Sequence, residues 1–506
     1  MQQKRIKMKL KKLLLLTIIF CSSALAVIAQ KVIFVEPRFI LKSLEPEVTT
    51  FTHNNKNYVL YESLNMKSHL RLDIQLDSYS PDGKSLKSAM VDGPGTDAAE
   101  PNYFSGIFPV GTQLTLFKNG YENKTKITTL YAYPLEDDGS KGDQKEIGTI
   151  QGVGMINSGT FKVDVSPDGQ KVVVLRQLPH AKEGNEKIIL NVYDKDLKTI
   201  AEKEIEFPYE SSKNALNVAM VNNAGNVFII KKIFAKKGTT DREMIFTFAP
   251  DLTLIKETPH EIGTIGITTS YKTTFDAAGN LVFAGFYSDY KKVGINVSGP
   301  EGAFCSKITP AGELTSTTSV LSLNTNIKIS QLLPATDGGY FIVAEQQSKK
   351  DEQKPGGTPF ETNSFYTTQS GLLIKFGADT KKQWDYIVRR GELTSMNDNA
   401  KDARLSAAVG PDGNLYVIYK DHWSSHDGVD RTVILPPVSG WRGDIIEVFD
   451  PNGKPLKKSL IRDERIGGPK GQYYLLPQTF RVLPSGELLG VSFRTLELVS
   501  TKIVLE

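Results

Sequence analysis

The densest meeting of chemically useful side chains in this 506-residue chain lies at positions 421–443, DHWSSHDGVDRTVILPPVSGWRG. Two of the six histidines (His422, His426) and two of the three tryptophans (Trp423, Trp441) fall there, with Asp427, Asp430, Arg431 and Arg442. Four kinds of chemistry compete for this group. His422 and His426 with Asp427 or Asp430 have the makings of a metal site. However, Gly428 and the Ser424–Ser425 pair argue against the helix that would align ligands four residues apart, so no metal is expected. A histidine with Tyr419 or Arg431 has the acid, base and charge needed by a polysaccharide lyase or a glycoside hydrolase. Trp423, Trp441 and Tyr366 with Asp427, Asp430 and Arg442 offer stacking and hydrogen bonds to a glycan or peptide. In the plainest reading the aromatics only anchor an ordered loop. The non-catalytic platform is the reading preferred here, with the carbohydrate-active enzyme as its alternative.

What positions this stretch is a repeat. FKVDVSPDGQ, KVVVLRQL, KIILNVYDKDLK and TIAEKEIEF, within residues 161–207, are four strand-like runs. Two tight turns, Ser166-Pro167-Asp168-Gly169 and Asp194-Lys195-Asp196-Leu197, join them in pairs. Four such antiparallel strands make one propeller blade. The first turn recurs at Gly225, Gly279, Gly338, Gly413 and Gly486, and less clearly at Asn55 and Gly111. Successive steps from position 55 through 169 to 486 are 56, 58, 56, 54, 59, 75 and 73 residues.

The expectation is an all-β chain forming one propeller of eight four-stranded blades over residues 30–506, with seven as the alternative. The last unit has three strands, so KVIFVEPRF at 31–39 should supply the fourth and close the ring, hiding two sheet edges. Strand alternation puts both tight turns of every blade on one face. The second-to-third-strand loops and the interblade links lie on the other. The two enlarged steps come from 348–370 and 421–443, both on that second face, and loops of such length are usually functional or disordered. SKKDEQKPGG, which opens 348–370, reads as a solvated flap. Glu202, Glu204 and Glu206 alternate along an outer strand and do not form a catalytic pair. His53, His69, His180 and His260 are scattered and read as structural or exposed.

Ser166-Pro167-Asp168-Gly169 followed by Lys171-Val172-Val173-Val174 resembles the repeat of TolB-like propellers, within the wider group of bacterial exported β-propellers. The resemblance covers about a dozen residues per blade and implies the fold; such propellers host many functions, so it names no activity.

The first 29 residues have a basic start, an apolar run at 13–29 and alanines before Gln30, the layout of a cleaved secretory signal. The mature protein is therefore expected outside the cytoplasm, in the periplasm or beyond the cell. Phe20 is too bulky for the lipobox that acylation of Cys21 would need. The leader holds six of the 61 Lys and Arg and no acid, so the remainder carries 55 positive against 57 negative side chains. That balance removes the case for nucleic acid. Cys305 is then the only cysteine, no disulfide can form, and stability must come from packing. No other stretch could span a membrane. No phosphate-binding loop, dinucleotide fingerprint or nucleophile elbow is present, so no cofactor is expected. The partners expected are a protein or glycan, and the chain itself is expected to be a monomer.

Overall fold

The computed structural model describes residues 31–40, 47–64, 72–92, 102–136, 139–181, 183–211, 216–233, 242–262, 266–289, 300–321, 326–353, 362–391, 393–396, 405–422, 442–461, 474–494 and 497–505. They form eight antiparallel blades in a ring, seven of four strands and one, the sixth, with a fifth strand added. The blades span 47–92, 102–151, 160–210, 216–260, 266–320, 327–388, 406–460 and 474–504.

Blade 3 shows why the sequence folds this way. Its strands Thr160–Val165, Lys171–Gln177, Asn185–Asp194 and Thr199–Glu210 pair in order. Successive side chains of a strand point to opposite faces, and here both faces are covered by neighbouring blades. Val173 and Leu175 pack into blade 4 with Val227, Ile229 and Phe246. Val172 and Val174 pack the other way, into blade 2 with Phe117, Leu130 and Ala132. The unbroken apolar run in the second strand follows from that double burial. The outermost strand faces water, and Glu204 and Glu206 there pair with Lys187 of the third strand at 3.2 and 3.4 Å.

The tight turns form as expected. Gly169 has φ of 71°, where a side chain would be strained, and its carbonyl accepts from the Gly111 amide of blade 2 at 2.8 Å. Leu197 holds a similar conformation without glycine, at φ of 57°.

The ring closes through strand Lys31–Ile40. It pairs antiparallel with Glu497–Val504, from Lys31 opposite Val504 to Ile40 opposite Glu497, with a bulge between Val35 and Phe39. Blade 8 is thus built from both ends of the chain, in the order 31–40, 497–504, 488–494, 474–482. Among the described residues no helix is long and apolar enough to cross a membrane.

Candidate functional site

Among the described residues, the loop-bearing face is built up at blade 6. In blade 6 the expected flap proves to be a long ribbon. Strands Tyr340–Gln353 and Thr362–Phe376 keep their ladder from Tyr340 opposite Phe376 out to Gln353 opposite Thr362. The register shifts once, between Glu345 and Gln347, and such a bulge re-aims a strand. A short strand, Leu393–Met396, then adds to the ribbon's edge, setting Tyr366 between Lys349 and Ser395. The charged composition of 348–353 misled because Ser348, Lys350 and Glu352 of the ribbon are exposed, and a ladder with a face in water needs no apolar residues there.

The ribbon is braced at its base by buried charge. Glu345, 4% exposed, accepts from Arg390 Nη2 at 2.6 Å and from the Leu405 amide of blade 7 at 3.4 Å. Arg390 Nε also donates to the Gln369 carbonyl. Asp421, 1% exposed, accepts from the Gly391 amide at 2.8 Å and so ties blade 7 to the link that leaves blade 6. Lys420 and Asp444 are buried too, on the face of blade 7 that carries Ile418 and Ile446 toward blade 8. A carboxylate out of water is costly unless paired and hydrogen-bonded, and each of these ties keeps one strand end in place.

Blade 7 continues its second hairpin through Asp421 opposite Gly443 and His422 opposite Arg442. The backbones of His422 and Arg442 therefore stand at the root of the 421–443 excursion. His426, Trp423, Asp427, Asp430, Arg431 and Trp441 lie outside the described residues, as does the side chain of Tyr366. Tyr419 is different. It is fully buried, its hydroxyl donates to Glu447 Oε2 at 3.1 Å, and Tyr386 donates to the other oxygen of Glu447 at 3.2 Å. Burial and the Glu447 charge push its phenol far above the usual range. Tyr419 is thus a packing and bracing residue of the 6–7 seam, with no free path to a ligand.

Sequence reasoning missed two further buried networks. Between blades 3 and 4, Glu186 receives Lys231 Nζ at 2.5 Å and Asn217 Nδ2 at 2.5 Å, and Asn217 also reaches Gln177. Between blades 4 and 5, Glu243 Oε2 lies 3.0 Å from His260 Nδ1, His260 Nε2 lies 3.0 Å from Ser306 Oγ, and Ser306 meets Ser316 at 2.7 Å. That order matches a hydrolytic triad, but Ser306 and the His260 side chain are 0% exposed and no substrate can reach them. The available signal was a glutamate near the start of the third strand in successive repeats, Glu186 and Glu243. Each reaches the first strand of the next blade, through Asn217 and Thr268.

The turn face carries a cavity of about 260 Å³ between blades 1 and 2, lined by His53, Lys56, Ser78, Lys87, Thr112 and Glu136 among others. Among the described residues no three His, Cys, Asp or Glu side chains are grouped to hold a metal.

No family model and no curated relative matches the sequence. Solved structures that resemble it include the β-propeller domain of the Trilobed protease from Pyrococcus furiosus, at 10% identity and a TM-score of 0.33. That match covers 71% of this chain and 98% of that one. Oligogalacturonate lyase from Vibrio parahaemolyticus matches at 9% identity and a TM-score of 0.35, covering 94% and 99%. An α-L-arabinanase from Penicillium chrysogenum matches at 12% and 0.35, covering 63% and 93%. The chain is an eight-bladed β-propeller. Its distant neighbours include hydrolases and a lyase, and at this distance they carry no argument about this chain.

Proposed function

We propose that this chain is an exported propeller that holds a protein or glycan ligand, without turning it over, on the face bearing the blade 6 and 7 excursions. The observation that carries the reading is the braced ribbon of blade 6. A fifteen-residue strand and its partner project from the ring, gain an extra strand, and are fixed at the base by the Glu345–Arg390 pair. Rigid elements of this kind present side chains at low entropic cost to binding. The neighbouring 421–443 segment supplies the stacking and hydrogen-bonding groups that such a ligand needs.

The test is a glycan and envelope-protein binding screen with the mature protein and a variant in which 350–365 is replaced by a two-residue Asn-Gly turn. The reading expects a ligand that the intact protein binds and the shortened one loses, with both melting alike. Equal binding by both forms would remove the excursions from the site. Turnover of a captured glycan would replace the binder with the enzyme.

A further inference from the structure

Four blades round the ring from the excursion of blade 6, the same face carries a second feature of opposite character. The link from blade 2 to blade 3 turns at Gly152–Asn157 and presents Val153, Met155 and Ile156, which are 67%, 60% and 102% exposed. The other exposed large apolar residues of the described chain sit singly, or as a pair at Leu254–Ile255, mostly along blade strands. Three within four residues at one tip are an unusual exposure for a protein in water.

The tip is held firmly. The Val153 amide donates to the Asn157 carbonyl and the Asn157 amide to the Gly154 carbonyl, both at 3.0 Å. Asn157 clamps the neighbouring blade from both ends of its amide, donating to the His180 carbonyl at 2.9 Å and accepting from the His180 amide at 2.8 Å. Gly152 donates to the Lys126 carbonyl at 2.8 Å, and a Cβ there would meet that oxygen at 2.9 Å. The tip is thereby fastened to the turn between the second and third strands of blade 2. That turn carries Lys124 and Lys126, both exposed, with Glu122 engaged by the Thr125 hydroxyl at 2.7 Å.

We infer that Val153, Met155 and Ile156 form a membrane-docking knuckle that inserts shallowly into a lipid surface, with Lys124 and Lys126 meeting anionic headgroups. A lipid surface is favoured over a protein partner by size and charge. Three side chains on one turn fall well short of the roughly 800 Å² per partner that a stable protein interface buries. A bilayer interface needs only a small apolar wedge with cations beside it, because the lipid closes around whatever is inserted. Internal hydrogen bonds within the turn lower the cost of drying its backbone. The inference stands whether or not the ligand reading holds.

The experiment is flotation of the mature protein with zwitterionic vesicles and with vesicles containing an added anionic lipid. A parallel Ile156→Cys form carries an environment-sensitive dye; Cys305 is fully buried and does not compete for it. The protein should float with anionic vesicles, and the dye should shift to the blue on mixing. Ile156→Asp should weaken partitioning by about tenfold or more, since it removes the apolar burial of the tip and puts a carboxylate in its place. Ile156 touches nothing that holds the blade, so that variant should melt as the parent does. Lys124→Gln with Lys126→Gln should remove the preference for anionic lipid while leaving weak binding. The inference is overturned if the parent floats with neither vesicle. It is equally overturned if Ile156→Asp floats as well as the parent, or if the dye reports a shift only with a protein partner.

Discussion

Two seams of the ring solve the same packing problem differently. At the 6–7 seam the buried charges are paired: Glu345 with Arg390, Asp421 with the Gly391 amide, Glu447 with two tyrosine hydroxyls. At the 8–1 seam, where the two ends of the chain meet, Arg481 makes the main polar tie. Its guanidinium reaches Asn57 Oδ1 at 2.6 Å and Thr52 Oγ1 at 2.9 Å, and burial lowers its pKa to about 10. The other buried polar groups are uncharged partners of a lone carboxylate. Asp77 is 0% exposed, with one oxygen on Gln75 at 3.0 Å and the hydroxyls of Tyr61, Tyr79 and Ser88 turned to its carboxyl, and no cation beside it among the described residues. Ser500 Oγ is buried without a hydrogen-bond partner among the described residues. The 6–7 seam supports a projecting ribbon and must hold its geometry. The 8–1 seam only has to close, and its closure relies on a strand with no covalent link to the other three strands of its blade except through the whole ring. The difference marks one seam as the brace of the ribbon and the other as the weak joint of the fold.

Breaking the joint should have the largest effect. Deleting residues 31–39 leaves blade 8 with three strands and a bare edge along Glu497–Val504. That should remove much of the roughly 5–15 kcal/mol of net stability a folded domain has, and expose an aggregating edge. Denaturant unfolding with light scattering reads both. A truncated protein that unfolds at the parent midpoint would show that the closing strand is dispensable.

Stranding a charge at the brace comes next. Arg390→Met leaves Glu345 buried without its cation and should cost about 3–5 kcal/mol; the double variant Glu345→Leu/Arg390→Met should recover most of it. If the single variant is harmless, the pair does not brace the ribbon.

Asp77 gives the smallest and most diagnostic change. Burial raises its carboxyl to about 6, against about 3.9 in an unfolded chain. The native state therefore holds the proton more tightly, and the stability this confers is present below about pH 4 and is lost as pH rises through about 6. Asp164, also raised to about 6 by burial, bends the parent curve in the same direction. The comparison with Asp77→Asn isolates one group. The variant should match the parent at about pH 4 and exceed it by about 3 kcal/mol at neutral pH. Parallel curves for the two proteins would deny that Asp77 is a neutral-leaning group at the joint.

The seams also show what a sequence can disclose. The blades, their number and the closing strand were legible because the first turn of every blade, as at Gly169 and Gly413, holds a left-handed residue, and an apolar run such as Lys171–Gln177 follows it. Glu186, Lys231, Glu345 and Arg390 were not legible, because a charged residue in a strand reads as exposed until its partner from another blade is known. The ribbon of blade 6 was mistaken for a flap for a related reason: 348–353 carries charge on both faces, and only the pairing with 362–368 reveals a ladder. At the candidate site, the sequence indicated the face, and the structure adds the brace beneath it. The aromatic and ionisable groups of 423–441 lie outside the described residues.

The central claim is that ligand lies on the excursion face at blades 6 and 7. Hydrogen exchange of the mature protein, with and without the glycan or protein its screen returns, tests it most directly. The account predicts slowed exchange in 348–370 and 421–443, abolished by Trp423→Ala, with the turn-face cavity at His53, Lys56 and Lys87 unchanged. Protection centred on that cavity, with 348–370 and 421–443 exchanging as in the free protein, would contradict it.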